Sequence, residues 1–245
     1  MKPFILTYKP FGNSAVLIEW PPEMSESILE DLIIFYEKIK LTKPKSIVEV
    51  IQSINSLTIV YDSKQIHFDK LKQWLEKTYS KSSNEKSAIA YYLWKVPVCY
   101  DPSFGIDLED MAQNNNLSVQ KIIELHTLTA YRVYSIGFLP GFLYLGGLDE
   151  RLHIARKAEP RLVVQKGTVG IGGSQTGIYP KSSPGGWHLI GSTPISFFDK
   201  TKKAPCFAKP GDKIQFISIT LNEYAQIQGQ VAEGNYILER EALHD

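Results

Sequence analysis

The stretch GIGGSQTGIYPKSSPGGWHLIG, residues 170–191, places seven glycines and two prolines around one tryptophan and one histidine. Glycine and proline at this density interrupt a helix, whereas short β-strands fit between them. The flanking sequence continues the pattern, because short β-branched or aromatic runs alternate with glycine, proline or polar turns from residue 130 onward. So many short strands predict a closed barrel or a sandwich. The runs are YRVYSIGF, RLVVQ, TVGI, GIYP, WHLIG, PISFF, DKIQFISI and GNYILER.

Glycine is more abundant here than the turns of a barrel require. Twelve of the 17 glycines lie between Gly137 and Gly191, so we expect positions of close backbone approach or positive φ. Residues 139–142 (LPGF) and 183–186 (SPGG) each fit a type II turn, with proline second and glycine third. Two rigid turns could frame a cleft, while glycines at barrel corners and bulges account for part of the excess.

A polar segment, SKSSNEKS at 80–87, separates this region from the N-terminal part of the chain. It predicts a domain boundary, with a small α+β domain over 1–87 and a β-barrel domain over 88–245. The element order in the first domain is predicted as β-β-α-β-β-α, with Ile28, Leu32 and Phe35 on one helical face. No constellation of reactive side chains stands out there, which indicates a docking or scaffolding role.

Composition gives no sign of a nucleic-acid or membrane partner. The 245 residues are 43% apolar and 22% charged with a formal net charge of +1, so neither nucleic acid nor an anionic membrane is indicated. The longest apolar run, 88–94, is too short for a membrane span, and the sequence MKPFILTYKP lacks a signal-peptide core, so we expect a cytoplasmic protein. Cys99 and Cys206 lack metal-ligand spacing to any histidine. They predict buried free thiols and no metal site.

Two short helices are predicted between the boundary and the β-rich region, with Asp107 and Ser118 as N-caps. In the second helix His126 shares a face with Val119 and Ile122, so its imidazole should be partly buried. A structural histidine bonded to a backbone carbonyl and a histidine that transfers protons both fit this spacing.

Known glycine-rich signatures fit poorly. The sequence at 170–172 resembles the start of a dinucleotide fingerprint, but no helix pattern follows it, and no phosphate-binding P-loop motif occurs. Any ATP chemistry therefore needs another kind of site. The sequence at 172–174 resembles the serine-glycine core of amidases, but Gln175 stands where that pattern has serine or glycine.

Four segments carry a resemblance to a known family: ELHT at 124–127, YSIGFLPGFLYLGGLDERL at 134–152, GTVGIGGSQTGIYPKSSPGGWHLIGSTP at 167–194 and KPGDKIQF at 209–216. They are similar to the KipI family, also called the B subunit of ATP-dependent 5-oxoprolinase and labelled allophanate hydrolase subunit 1. The likeness spans nearly the whole chain. It implies an α+β protein, with a small α+β N-terminal domain followed by a cyclophilin-like antiparallel β-barrel.

The resemblance also implies an activity and partners. Family members open 5-oxo-L-proline to L-glutamate with ATP, in a complex with a PxpC- or KipA-like subunit and a PxpA-like subunit. The ATP site is then expected on the partner subunit or shared with it, and the isolated chain is expected to be inactive. Two alternatives stay open: an inhibitor of a sporulation-type histidine kinase, and half of a biotin-dependent carboxyltransferase acting on urea-like or allophanate-like amides.

These considerations predict a site in the glycine-rich stretch, where bare backbone N–H groups could approach a small lactam or amide. The expected catalytic residues are His126, Gln175 and Thr176. The expected substrate-binding residues are Arg161, Gly172, Gly173, Gly177, Tyr179, Gly185, Gly186 and Trp187. A partner protein would meet Phe138, Leu139, Pro140 and Phe142 around the first turn. In the alternative interpretation Tyr179 and Trp187 are barrel residues, Gln175 satisfies buried backbone, and Arg161 belongs to a surface ion pair.

Two departures from the family pattern limit the comparison. Gln165 and Lys166 replace proline and alanine before the glycine, and Ser192 stands where relatives commonly carry arginine. Arg161 is retained and could clamp an anion.

Overall fold

The computed structural model describes residues 3–82 and 89–243. The chain divides into two compact units, Met1–Ile89 and Ala90–Asp245. Most of the predicted boundary segment, residues 83–87, lies outside the described residues, so the boundary after residue 87 stays a prediction. Within the described ranges no helix is both long enough and apolar enough to span a bilayer.

The first unit has the predicted order of two strands, a helix, two strands and a helix. Its antiparallel sheet has the order β1-β2-β4-β3. Alternate residues of β2 and β4 pack against the apolar face of α1, which includes Ile28, Leu32 and Phe35 as predicted. The elements are β1 (Thr7–Pro10), β2 (Ala15–Glu19), α1 (Glu26–Thr42), β3 (Ile47–Gln52), β4 (Ser56–Tyr61) and α2 (Phe68–Ser82).

The second unit holds ten strands and three α-helices among its described residues. Helices α3 and α4 follow Asp107 and Ser118 as predicted. The Ser118 hydroxyl accepts a capping hydrogen bond from the Lys121 N–H, whereas the Asp107 side chain makes no capping bond. The elements are β5 (Tyr91–Cys99), α3 (Leu108–Asn115), α4 (Val119–Leu128), β6 (Ala130–Ile136), β7 (Leu143–Gly146), β8 (Arg161–Val164), β9 (Thr168–Gly172), β10 (Gln175–Ile178), β11 (Ser183–Gly185), β12 (His188–Ser192), β13 (Lys213–Ile219), α5 (Leu221–Glu233) and β14 (Arg240–Leu243).

Seven of these strands form a closed barrel, as the sequence predicted. Their order is β12-β9-β10-β7-β6-β13-β5, and the barrel closes where Ser192 of β12 lies opposite Cys99 of β5. The barrel differs from the expected antiparallel one in a single pair, because β5 and β13 run parallel. An odd number of strands cannot alternate in direction all round a closed barrel, so one parallel pair is required.

Apolar side chains fill the barrel interior. Alternate residues of the strands point inward, as Val169 and Ile171 do on β9 and Ile214 and Phe216 do on β13. Helix α4 packs on β13 and helix α3 on β12. The interior is therefore a packed core.

The two predicted turns have different outcomes. At 139–142 the Phe142 N–H donates to the Leu139 carbonyl (2.9 Å) and Gly141 has φ +84°, as a type II turn requires. The turn predicted at 183–186 is wrong, because Ser183–Gly185 is strand β11. It pairs with β8 in a two-stranded ribbon separate from the barrel sheet. The backbone groups of β11 therefore form hydrogen bonds between strands and not within a turn.

Candidate functional site

His126 lies at the centre of a buried polar network. Its side chain is 0% exposed and stacks on Phe216 at 4.5 Å between ring centroids. Nδ1 lies 2.7 Å from the Tyr100 hydroxyl, and Nε2 lies 2.8 Å from the Thr176 hydroxyl. Because Thr176 donates its own proton to the Gly170 carbonyl (3.1 Å), the consistent arrangement has Tyr100 donating to Nδ1 and Nε2–H donating to Thr176.

This network corrects the catalytic roles expected for His126 and Thr176. Burial lowers the pKa of His126 from 6.5 to about 3, so the imidazole is neutral at physiological pH. Both ring nitrogens already have partners, and Thr176 is 0% exposed. Neither side chain reaches the surface, and the structural interpretation of the histidine fits the geometry.

Residues 172–175 form the end of a β-hairpin. Gly172 of β9 lies opposite Gln175 of β10, and Gly173 in the two-residue turn has φ +67°. Gly173 exchanges two backbone hydrogen bonds with Ile154, of 2.7 and 3.2 Å. The Gly173 N–H and carbonyl, which were expected to be open to an amide ligand, are therefore already hydrogen-bonded within the protein. Gly172, Gly173 and Gln175 are not among the residues that line the neighbouring aromatic cleft.

The glycines of β9 and β10 make room for the Trp187 indole. A Cβ atom at Gly172 would collide with the indole ring, and one at Gly170 would lie 3.3 Å from the Trp187 Cβ. A Cβ at Gly177 would lie 3.1 Å from the ring and 3.3 Å from Phe142. The prediction of close approach is confirmed, but the group that approaches is a side chain of the same chain.

Trp187 forms the floor of an aromatic cleft on the second unit. Four aromatic rings pack edge-to-face around it, with 5.2–6.4 Å between the centroids of contacting rings. They belong to Phe142, Tyr144, Tyr179 and Trp187. The cleft has a volume of about 210 Å³. Its other lining residues are Phe138, Arg156, Lys157, Pro160, Pro184, Gly185 and Gly186.

The cleft gathers six of the predicted site residues. Tyr179, Gly185, Gly186 and Trp187 come from the expected substrate set, and Phe138 and Phe142 come from the expected partner set. Tyr179 packs closely against Gly185, and burial raises the pKa of its phenol, so the hydroxyl is protonated at physiological pH.

A buried carboxylate holds one wall of the cleft. Asp107 is 2% exposed; its Oδ1 accepts from Arg161 (2.6 Å) and pairs with Lys157 (3.0 Å), and its Oδ2 accepts from the Leu189 N–H (2.6 Å). Burial acts to raise the pKa of Asp107, but these hydrogen bonds outweigh it and hold the pKa below its ordinary value. Arg161 was expected to clamp a ligand anion, but its guanidinium is engaged by Asp107. Arg161 thus belongs to an ion pair, as in the alternative interpretation, but its partner is a buried carboxylate and the pair is not a surface one.

Arg156 was missed by the sequence reasoning. Its guanidinium lies 5.8 Å from the Trp187 ring, over the cleft, and its side chain is exposed. No ion pair joins it to a carboxylate in the described part of the chain. The cluster ARKAEPR at 155–161 was the available signal, since three cations there face a single Glu159.

The expected partner-binding turn is only partly exposed. Phe138 is 66% exposed and has φ +64°, which is uncommon for a residue other than glycine. Leu139 is half-buried and Pro140 is exposed. Phe142 is 3% exposed, so its assignment to a contact surface is wrong: its ring belongs to the aromatic cluster beneath the turn.

A larger cavity of about 690 Å³ lies between α5 and residues 193–207, and it contains none of the predicted site residues.

Cys99 is buried and Cys206 half-buried; both are free, and burial raises both thiol pKa values. Across residues 3–82 and 89–243 no cluster of three or more histidine, cysteine or acidic side chains could hold a metal ion.

Comparisons with known proteins agree with this fold. Residues 6–208 match the family model described as carboxyltransferase domain, subdomain C and D. The 5-oxoprolinase B subunit of Haemophilus influenzae is 41% identical over 85% of this chain and 95% of its own length, and that of Bacillus subtilis is 34% identical over 87% and 92%. The solved urea carboxylase of Kluyveromyces lactis superposes with a TM-score of 0.82 over 97% of this chain and 24% of its own, at 21% identity.

The urea carboxylase likeness shows the fold alone, whereas the two bacterial relatives match over nearly their entire length. The family resemblance seen in the sequence is confirmed by the family model and by the curated bacterial relatives. The chain belongs to the carboxyltransferase subdomain C and D family, within the group that contains the 5-oxoprolinase B subunits.

Proposed function

We propose that this chain is the B subunit of an ATP-dependent 5-oxoprolinase, which opens 5-oxo-L-proline to L-glutamate with partner subunits. The observation that carries the proposal is the 34–41% identity to three curated 5-oxoprolinase B subunits over more than nine-tenths of their lengths. The aromatic cleft supports it. Its volume of about 210 Å³ is below the roughly 300 Å³ at which pockets for drug-sized ligands begin, and so fits one small ring.

In this proposal the chain binds and shields the lactam. The ring occupies the cleft that Trp187 and Tyr179 help to line, and the packed aromatic cluster behind them excludes water from that side. The lactam carbon is a poor electrophile, and phosphorylation of its oxygen by ATP would activate it. Water then adds to the carbon, the C–N bond breaks as the nitrogen takes a proton and leaves as the amine, and a second water hydrolyses the resulting acyl phosphate to glutamate and phosphate. No P-loop motif occurs in the sequence, so the nucleotide is assigned to the partner subunit or to the complex. The isolated chain should then be inactive.

Reconstitution tests this assignment. The purified chain, its PxpC- or KipA-like partner and its PxpA-like partner are assayed singly and together for ATP-dependent formation of glutamate from 5-oxoproline. The proposal expects turnover only in the full mixture and a stable complex with the first partner. Absence of turnover in a correctly assembled mixture, or full turnover by this chain alone, contradicts it.

A blocking variant tests the cleft itself. Gly186 lies beside Pro160, and a Cβ there would meet only ordinary contacts at 3.5 Å or more, so Gly186→Leu should fold while its side chain occupies the space between them. Activity of the complex should fall by about tenfold or more. The matched control is Gly229→Leu on the exposed side of α5, where a Cβ meets nothing within 4 Å. Equal activities of the two variants would remove the cleft from the mechanism.

A second candidate function is regulation of another protein, such as a histidine kinase, through the exposed turn. Phe138 favours it, because a large aromatic ring held outward by an uncommon backbone conformation suits a protein contact. Phe138→Ser should abolish kinase inhibition or partner binding and leave the fold intact. If a folded Phe138→Ser protein still inhibits the kinase and still binds the partner, this surface has no regulatory role.

The third alternative, a biotin-dependent carboxyltransferase half, has weaker support. The urea amidolyase relatives are 24–26% identical, and this chain covers only 14% of their length. We therefore do not extend their activity to this protein.

A further inference from the structure

Four charged side chains are concentrated at one wall of the cleft. Arg156, Lys157 and Arg161 carry three positive charges within six positions of the sequence, and the buried Asp107 pairs with Lys157 and Arg161. Arg156 and Lys157 line the cleft, and none of the cleft-lining residues is acidic. The wall therefore carries excess positive charge toward any ligand.

Asp107 divides these cations into two groups. The Arg161 Nη2 and the Lys157 Nζ lie 2.6 and 3.0 Å from the Asp107 Oδ1, and the two side chains are only 27% and 25% exposed. Removal of either cation would leave a buried carboxylate short of a partner, so both belong to the support of the wall. Arg156 remains, with no carboxylate partner in the part of the chain that the structure describes.

Contact with Trp187 positions Arg156 without consuming its donors. A guanidinium 5.8 Å from an indole centroid gains cation–π attraction, which limits the places where the side chain resides. Its N–H groups stay available to bind two carboxylate oxygens side by side. An aromatic floor with one available guanidinium over it suits a small ring that carries a single carboxylate.

We propose that Arg156 binds the carboxylate of the ligand and so makes the cleft selective for a carboxylated lactam over a bare one. This inference rests on the proposed function for the identity of the lactam. The geometry assigns selectivity to a residue that the sequence reasoning missed, and it leaves Arg161 as a positioning residue for the wall.

Paired ligands test the proposal. Isothermal titration of the wild-type chain compares 5-oxo-L-proline with 2-pyrrolidinone, which has the same lactam ring without the carboxylate. A charge-assisted contact at an exposed edge should favour the acid by about tenfold. Arg156→Gln should weaken only 5-oxoproline, by about the same factor, and Arg156→Lys should recover part of the loss. Arg240→Gln is the matched control, because Arg240 lies 4.2 Å over Tyr92, away from the cleft, and its variant should bind both compounds as the wild type does.

The assembled enzyme gives the second measurement. Arg156→Gln should raise KM for 5-oxoproline about tenfold with little change in kcat, since a uniform binding contact is removed. A wild-type chain that binds neither compound or binds both alike, or an unchanged KM in the variant enzyme, overturns the assignment of Arg156. If instead the chain prefers the acid through Arg156 while the assembled enzyme does not open 5-oxoproline, the proposed function fails and the carboxylate site stands.

Discussion

The barrel interior and the aromatic cleft both place polar side chains among aromatic rings, yet they differ in how those groups are satisfied. Inside the barrel, Tyr100, His126 and Thr176 bond one another at 2.7–2.8 Å with at most 5% exposure. At the cleft, Arg156 is exposed over Trp187 without an acidic partner among the described residues. His126 and the two hydroxyls bonded to it thus lie where burial and their mutual hydrogen bonds keep them from a ligand. The comparison indicates that accessible groups without partners, more than residue type, should guide the choice of a candidate site.

The largest effect should come from breaking the interior network. His126→Ala removes a packed ring and leaves the Tyr100 and Thr176 hydroxyls without their partner, so the free energy of unfolding should fall by about 4 kcal/mol. Urea unfolding followed by circular dichroism measures it. Thr176→Val keeps the volume and should cost less, about 1–2 kcal/mol. A His126→Ala protein of wild-type stability but without activity would return the histidine to the catalytic site.

The next largest effect should come from the wall of the cleft. Asp107→Asn leaves Arg161 and Lys157 without their carboxylate and should cost about 3 kcal/mol. The pKa of Asp107 is lowered in the folded protein, so its stabilisation is present above the ordinary value of 3.8 and is lost as pH falls through the lower folded value. Unfolding at pH 7 and in steps below pH 4 measures both effects. The Asp107→Asn protein should lack this part of the acid dependence of stability. Identical acid unfolding profiles of the variant and the wild type would contradict a stabilising role for the Asp107 ion pairs.

A smaller effect should follow a one-carbon change beneath Trp187. Gly172→Ala drives a methyl group into the indole, so the ring must shift, at a cost of about 2 kcal/mol. Near-ultraviolet circular dichroism should report the displaced tryptophan, and urea unfolding the cost. Gly229→Ala on α5 is the control, expected to be neutral or stabilising by up to about 1 kcal/mol. An undisturbed tryptophan signal in Gly172→Ala would mean that the glycine serves some other contact.

The smallest expected effect is an absence of change. Because burial lowers the pKa of His126 to about 3, its ring resonances should not move between pH 8 and pH 5, while free imidazole in the same sample titrates. Below about pH 6.5 the unfolded chain binds a proton at His126, whereas the folded protein keeps this imidazole neutral. The stability that the neutral buried histidine contributes is therefore present above that pH and is lost as pH falls toward 3. Movement of the His126 signal in NMR spectra near pH 6.5 would show that the interior is open to water.

Local rules predicted most of the fold. The β-branched runs at 168–171 and 212–219 correspond to β9 and β13, and two helices begin directly after Asp107 and Ser118 as expected. Helix α5 was missed because β-structure was expected to the end of the chain. Its signal was present, since Thr220 and Glu223 form a capping box and Gly234 ends the helix in the left-handed region.

The candidate site was harder to predict, because its parts are distant in sequence. Asp107 and Arg161 are 54 positions apart, and no pattern in the sequence joins them. The excess of glycine correctly indicated close approach, but nothing in the sequence distinguished a ligand from the indole of Trp187 as the group that approaches. Periodicity also placed His126 on an apolar face, without indicating that two hydroxyls there would satisfy it.

The parallel pair of β5 and β13 has a consequence for the order in which the protein folds during synthesis. Asp212, just before β13, accepts hydrogen bonds from the Tyr92 N–H and the Trp94 indole, 120 and 118 positions earlier in the chain. The first unit has all its described strands before residue 62 and can pair them early, whereas β5 cannot pair with β13 until synthesis has passed residue 219. Long-range pairing is slow and leaves apolar strand edges exposed in the interval. Refolding should therefore show two phases, with the barrel as the slower and the more prone to aggregation.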